Sequence, residues 1–179
     1  VAFHLTQLCP GTRVLLLESG PTVASGATGR NGGQLVFAQL DTQAARRMGA
    51  GKARTYQAVE AATIADIRRF VADRGVRCDL AHRGSTRVAF LPEQVAVVRS
   101  CEDAARDVLR SLASGATALD AAATRERTGA ATALAGAASD AGCQLWPAKL
   151  TAALAREALA SGRAELRCCV RVDRVEKQR

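Results

Sequence analysis

The residues best suited to chemistry in this sequence are a single carboxylate and a glycine-rich loop that follows it. Glu18 comes directly after four apolar residues, Val14–Leu17. A short run that is apolar at every position is typical of a strand covered on both faces, as in a parallel sheet. At the carboxyl end of such a strand, an ionised carboxylate can accept hydrogen bonds from two adjacent hydroxyl groups, such as those of a ribose. A 2′-phosphate would be repelled there, so Glu18 argues against NADP.

The loop after this carboxylate combines glycines with one cation. Converging backbone N–H groups form nests that hold phosphate oxygens, and glycine permits the backbone conformations that a nest needs. Arg30 lies within the loop, where it can pair with a diphosphate or serve only as scaffold. The plainer alternatives are an exposed acid that ends a strand and a flexible surface turn. The glycines of the loop are Gly26, Gly29, Gly32 and Gly33.

From Val14 to Leu35 the sequence resembles the second strand and following loop of FAD-dependent amine and amino-acid oxidoreductases. That family includes D-amino-acid oxidase, glycine oxidase, sarcosine oxidase and gamma-glutamylputrescine oxidase. The run S-G-A-T-G-R-N-G-G-Q-L, from Ser25 to Leu35, is most similar to the gamma-glutamylputrescine oxidase branch. The resemblance implies FAD as cofactor and oxidation of an amine or amino acid by hydride transfer to flavin N5. Oxygen or another acceptor would then take up the electrons.

The resemblance also assigns roles to residues of this chain. Asn31 and Gln34 are expected on the flavin side of the loop, at the ring edge or against an adjacent backbone turn. Val172 is expected to offer backbone groups to adenine. No catalytic residue is predicted, because those that clamp the substrate would lie mainly beyond Arg179. The predicted cofactor-binding set is Glu18, Ser25, Gly26, Ala27, Thr28, Arg30, Asn31, Gly32, Gly33, Gln34 and Val172.

Hydrophobic periodicity predicts the elements that position these residues. The first residues are predicted to be helical, and a helix is predicted over about residues 53–74. Its apolar stripe, which we expect to face the core, is Tyr56, Val59, Thr63, Ile67 and Phe70. A strand is predicted over residues 84–91, and Pro92 then suits the first position of a second helix that ends near Gly115. The stripe of that second helix is Val95, Val98, Ala105, Val108 and Leu112.

The rest of the chain has clearer boundaries. Asp120 is expected to cap a short helix that stops around Gly129, and residues 131–141 are either a loop or a strand. Another helix starts at Trp146 and is closed by Gly162. The last segment alternates and is predicted to be a strand, with Leu166, Cys168, Val170 and Val172 on one side.

These elements, with the resemblance, predict an α/β fold. It is expected to be a partial FAD-binding Rossmann-like domain of the glutathione-reductase type, with the start of an α+β substrate domain. Residues 1–40 would begin the FAD-binding domain, 41–145 would form an excursion into the substrate domain, and 146–179 would return. The G-x-G-x-x-G turn normally lies roughly 20 residues before the acid, so it would fall before Val1. We therefore expect a fragment of a longer protein that by itself retains FAD poorly and is inactive.

Composition narrows the remaining classes. The formal net charge is +8, but the arginines are scattered and aromatic residues are few, so nucleic-acid binding is not favoured. The six cysteines form no C-x-x-C pattern, and the histidines, His4 and His82, stand alone, so no metal site is predicted. No hydrolytic Ser-His-Asp set, Cys-His pair or carboxylate pair is evident. Without a visible signal peptide or an apolar run of about 18 residues, a cytoplasmic protein with no membrane association is expected.

Two alternatives to an amine or amino-acid oxidoreductase stay open. One is a flavin-dependent tRNA-modifying oxidoreductase built on the same module, which would suit the basic charge. The other is a non-catalytic remnant that neither holds FAD nor turns over. The substrate is expected to be a small amine or amino acid.

Overall fold

The computed structural model describes residues 1–37, 40–109 and 115–176. Its helices are α1 (Ala2–Leu8), α2 (Thr42–Met48), α3 (Ala50–Asp73), α4 (Pro92–Asp103), α5 (Ala121–Thr128) and α6 (Pro147–Ala160). Its strands are β1 (Val14–Leu17), β2 (Gln34–Leu35), β3 (Ala81–His82), β4 (Ser85–Ala89), β5 (Thr117–Leu119), β6 (Ala135–Ser139), β7 (Cys143–Gln144) and β8 (Ala164–Arg167). A 3-10 turn spans Ala27–Gly29, and a π-helical segment spans Ala104–Leu109. The mixture confirms the predicted α/β class.

The chain divides into two compact units. The first comprises Val1–Gly33, Arg74–Asp79 and Leu145–Arg179. The second comprises Gln34–Asp73 and Leu80–Gln144. The first unit therefore gathers segments that are distant in sequence, whereas only residues 74–79 separate the two segments of the second.

In the first unit, β1 and β8 pair in parallel, with Val14 opposite Ala164 and Leu17 opposite Arg167. Helices α1 and α6 contact each other, and each packs on one of the two strands. The expectation that β1 is covered on both faces is wrong, because Leu15 and Leu17 are 51% and 44% exposed. Side chains alternate across a strand, so the face that α1 and α6 leave uncovered exposes every second residue.

The final predicted strand is shorter than expected. β8 ends at Arg167, and Val172 lies outside any regular element. Cys169 has φ of +58°, in the left-handed region, which is incompatible with a continuing strand. Beyond that bend the chain turns toward the end of β1, where the Val170 N–H donates to the Glu18 carbonyl at 2.9 Å. The apolar alternation in this segment therefore does not mark a strand.

The second unit contains two antiparallel three-stranded sheets, in the orders β4-β6-β5 and β2-β7-β3. The segment that was either loop or strand contains β6, the central strand of its sheet, in which every residue is buried. Its small side chains give no alternation of large apolar and polar residues that would predict a strand, but they permit close packing. A Cβ added at Gly136 would come within 2.7 Å of the Thr124 hydroxyl on α5.

The predicted core face of α3 is wrong over the first part of the helix, while Ile67 and Phe70 are half-buried. Tyr56 and Val59 are 46% and 60% exposed. On the buried face, Ala53 packs with Ala45 and Ala104 in a cluster of small side chains, where close approach leaves no room for larger ones. The residues that α3 buries are Ala53, Gln57 and Ile64.

Local capping chemistry predicted the start of α4 and both ends of α5. Pro92 begins α4, and the Asp120 side chain accepts a hydrogen bond from the Ala123 N–H at 2.8 Å to start α5. Gly129 ends α5 in the left-handed conformation, with φ of 70°. The second predicted helix is regular only to Asp103 and continues as the π-helical segment. Its predicted stripe residue Leu112, and the side chain of Val108, lie outside the described residues.

One histidine does not stand alone. His82 and Cys143 face each other across the β3–β7 pair, and the Cys143 Sγ lies 3.3 Å from the His82 Nδ1. Sequence spacing gave no sign of this contact, because 61 residues separate the two positions. The expectation that His82 stands alone is therefore wrong.

Candidate functional site

The first unit contains a cavity of about 470 Å³ at the carboxyl end of β1. Its wall is mainly apolar and includes Leu16 of β1, Leu166 of β8 and Leu154 of α6. Among the described residues that line the cavity, Glu18 is the one with a carboxylate. Parallel pairing brings the ends of β1 and β8 to the same edge, where ligands of α/β folds commonly bind. The cavity therefore lies where the sequence predicts a ribose acceptor.

Backbone and side-chain hydrogen bonds both fix Glu18. Its N–H donates to the Arg167 carbonyl at 2.9 Å, which extends the β1–β8 ladder by one residue. Its Oε1 accepts from the Gly20 N–H at 2.7 Å. Oε2 accepts no hydrogen bond from any residue that the structure describes. The carboxylate is thus held half-buried at the cavity wall with acceptor capacity left for a ligand.

The glycine-rich loop is braced by its own side chains. The Asn31 Nδ2 donates to the carbonyls of Ala27 and Thr28 at 3.2 and 3.0 Å. The Asn31 Oδ1 accepts from the Gly33 N–H at 2.8 Å. These three hydrogen bonds close the loop around the 3-10 turn, so the Asn31 amide contacts an adjacent backbone turn, which is one of the two contacts expected for it.

Two glycines of this loop are required by close packing. A Cβ added at Gly29 would overlap the carbonyl oxygen of Ala24. At Gly33, which has φ of +69°, it would overlap the carbonyl oxygen of Leu145. By contrast, a Cβ at Gly26 or Gly32 would meet nothing within 4 Å. The loop therefore uses two glycines to fold and leaves open space beside the other two.

Strain is present beside the cavity. Ala24, which lines it, has φ of +63°, a left-handed conformation that costs an L-residue roughly 1–2 kcal/mol. Strained backbone clusters at ligand sites because the surrounding structure enforces a particular shape. Here the strained residue places its carbonyl against Gly29 and so shapes the loop at the edge of the cavity.

Arg30 is exposed at the end of the 3-10 turn. Its backbone N–H donates to the Ala27 carbonyl at 3.1 Å. Its guanidinium makes no ion pair with any residue in the described parts of the chain. An exposed guanidinium on a braced loop is available to an anionic ligand, since its planar fork of donors matches phosphate geometry.

The structure brings some of the predicted residues together and not others. Glu18, Gly26 and Thr28 line the cavity. Gln34 belongs to the second compact unit. Val172 is 53% exposed beyond the end of β8. The remaining predicted residues lie in the same loop without lining the cavity, and they are Ser25, Ala27, Arg30, Asn31, Gly32 and Gly33.

Sequence reasoning missed the part of the cavity formed by helices. Phe3 and His4 of α1 and Thr151 of α6 line it, and the Phe3 and His4 rings meet edge to face at 5.2 Å. Apolar residues at helical spacing in both segments predicted only packing. No pattern in the sequence shows that α1 and α6 meet across the end of β1, because that contact joins residues about 150 positions apart.

The lining fits the adenosine and diphosphate part of FAD. Glu18 supplies the acceptor that ribose hydroxyls require, and the leucine wall suits an adenine ring. The open space beside Gly26 would admit phosphate oxygens close to the backbone. These residues could hold FAD at this end.

The described residues contain no group of three or more His, Cys, Asp or Glu side chains placed to hold a metal ion. Within the same ranges, no helix has both the length and the apolar character to cross a membrane.

Comparison with known proteins identifies a family. The family model described as "DAO: FAD dependent oxidoreductase" matches residues 1–179. No curated protein sequence matches the chain.

Solved structures share its fold. A glycine oxidase from Bacillus cereus aligns with a TM-score of 0.66 and 18% identity over 99% of this chain and 44% of its own. A glycine oxidase from Geobacillus kaustophilus aligns at 0.61 and 21% identity, over 94% of this chain and 43% of its own. An L-amino acid deaminase from Proteus vulgaris aligns at 0.69 and 16% identity, over 99% and 39%. The chain thus spans less than half the length of these structures.

Proposed function

This chain belongs to the DAO family of FAD-dependent oxidoreductases, and on that premise we propose that it serves the oxidation of an amine or an amino acid. The observation that carries the proposal is the cavity at the end of β1, where Glu18, the braced glycine loop and an apolar wall meet. The structural neighbours named glycine oxidase and L-amino acid deaminase support an amino-acid or related amine as substrate. The run from Ser25 to Leu35 supports the gamma-glutamylputrescine oxidase branch within the family.

In the proposed reaction, bound FAD supplies the hydride acceptor. The residues of this chain bind and orient the cofactor. Glu18 accepts hydrogen bonds from the ribose, and the loop backbone with Arg30 holds the diphosphate. The cavity wall removes apolar surface of the adenine from water. We assign no catalytic residue within the described ranges.

The experiment is anaerobic mixing of the full-length, FAD-loaded protein with a panel of amines and amino acids while flavin absorbance is recorded. Amines or amino acids should bleach the flavin. The rate should rise with pH, because a neutral amine can assist hydride departure with its lone pair. Matched 2-hydroxy acids serve as controls. If a hydroxy acid bleaches the flavin and no amine does, the amine assignment is wrong.

A second candidate is a flavin-dependent tRNA-modifying oxidoreductase, which the net charge of +8 favours. Several arginines are paired locally, however, as Arg106 is with Asp103 at 2.7 Å and Arg127 with Asp140 at 2.6 Å. Locally paired charges contribute little to a nucleic-acid surface. Salt-dependent, saturable binding of tRNA would favour this candidate over the amine oxidoreductase.

A further inference from the structure

A groove of about 470 Å³ lies in the second unit, between the C-terminal half of α3 and the edge strand β3. Ala65 and Ala72 on the helix and Leu80 before the strand form its apolar side. Its polar side is formed by basic groups only. These are Arg68 and Arg69 of α3 and His82 of β3.

The two arginines of the groove differ in their partners. The Arg69 guanidinium donates to the Asp66 carboxylate one turn earlier at 2.9 Å, so its charge is largely balanced. Arg68 makes no hydrogen bond or ion pair with any described residue. Asp66 does not line the groove. The described lining therefore contains cations and no carboxylate.

The His82 ring is held from behind by the buried thiol of Cys143. This thiol is 2% exposed, and its Sγ lies 3.3 Å from the His82 Nδ1. If the thiol donates, the neutral imidazole must carry its proton on Nε2. Nε2 then carries the N–H donor that is left for a ligand in the groove, and the Cys143 contact holds the other ring nitrogen.

We propose that this groove binds a small organic acid, namely a carboxylate attached to a short apolar chain. The Arg68 guanidinium fork matches a carboxylate in bidentate geometry, and the His82 N–H adds a third donor. The alanine and leucine side accepts the apolar chain. Inorganic phosphate lacks that chain, and a neutral alcohol lacks the charge. The site is distinct from the cavity at Glu18, because it lies in the other compact unit.

Isothermal titration of the purified protein with hexanoate tests the proposal, with 1-hexanol and inorganic phosphate as matched probes. Hexanoate should bind saturably, and each of the other two should bind at least about tenfold more weakly. Arg68→Gln and His82→Phe should each weaken hexanoate binding roughly tenfold or more, since each removes donors to a charged group. The control is Arg99→Gln, an exposed arginine on α4 in the same unit, which should leave binding unchanged.

Several results would overturn the proposal. One is equal weakening by Arg99→Gln, which would show unspecific attraction to positive charge. Another is phosphate binding as tightly as hexanoate, which would show that the apolar side of the groove does not contribute to binding. If His82→Phe unfolds the protein through loss of the Cys143 contact, hexanoate binding to Arg68→Gln still tests the site, because Arg68 is exposed. Hexanoate that binds Arg68→Gln as it binds the parent protein refutes the site.

Discussion

Replacing Glu18 by glutamine should weaken FAD binding with little effect on the fold. In the parent protein the Gly20 N–H donates to the Glu18 Oε1 at 2.7 Å. The glutamine Oε1 can accept the same hydrogen bond, so the turn after β1 keeps it. The second position becomes an NH₂ group, which donates and cannot accept from ribose hydroxyls. A hydrogen bond to a charged group contributes about 1.5–3 kcal/mol, so the FAD dissociation constant should rise roughly 10- to 150-fold.

Titration of the full-length apo-protein with FAD, followed by quenching of flavin fluorescence, measures this change. Glu165→Gln is the matched control, because Glu165 is an exposed acid on the neighbouring strand β8 that pairs with Arg167 at 2.7 Å. Thermal unfolding should show both variants within about 0.5 kcal/mol of the parent, as is usual for substitutions that leave packing intact. An FAD dissociation constant for Glu18→Gln within about twofold of the parent would refute the assigned role, since a lost charged acceptor must cost more.

Three further substitutions or measurements address the loop and the thiols. Gly29→Ala should lower the free energy of unfolding of the first unit by roughly 1–3 kcal/mol in chemical denaturation, because the added Cβ overlaps the backbone. The control Gly32→Ala should be tolerated, and an equal loss of stability in the two variants would contradict the loop packing. Asn31→Ala removes three hydrogen bonds that close the loop, so it should weaken FAD binding and speed proteolysis in the loop. If neither the FAD affinity nor the proteolysis rate changes, these hydrogen bonds do not stabilise the loop. In alkylation followed by mass spectrometry, exposed Cys169 should react well before Cys101, because burial raises the pKa of the Cys101 thiol and keeps it protonated to higher pH. Faster labelling of Cys101 than of Cys169 would contradict the burial of Cys101.

Features set by neighbouring residues were predictable from the sequence. The Asp120 cap and the Gly129 stop of α5 depend on contacts within a few residues, so composition and spacing reveal them. The apolar run before Glu18 likewise predicted a strand in a parallel pair. Three of the predicted cofactor-binding residues, Glu18, Gly26 and Thr28, line the cavity, and their binding role stays a prediction.

Features set by distant residues were not predictable. Two apolar stripes compete on α3, and only the small side chains that approach Ala53 decide which one is buried. The left-handed bend at Cys169 ends β8 despite a clean alternation of apolar residues. The contact of His82 with Cys143 depends on the order of strands in a sheet, which no spacing encodes.

Competition between nucleotides tests most directly whether the cavity at Glu18 holds the adenosine end of FAD. ADP carries that ribose and diphosphate, while FMN carries the flavin without them. Measured by displacement of bound FAD, ADP should compete in the parent protein and lose most of its effect in Glu18→Gln, and FMN should compete poorly in both. If FMN displaces FAD and ADP does not, the ribose and diphosphate are held elsewhere.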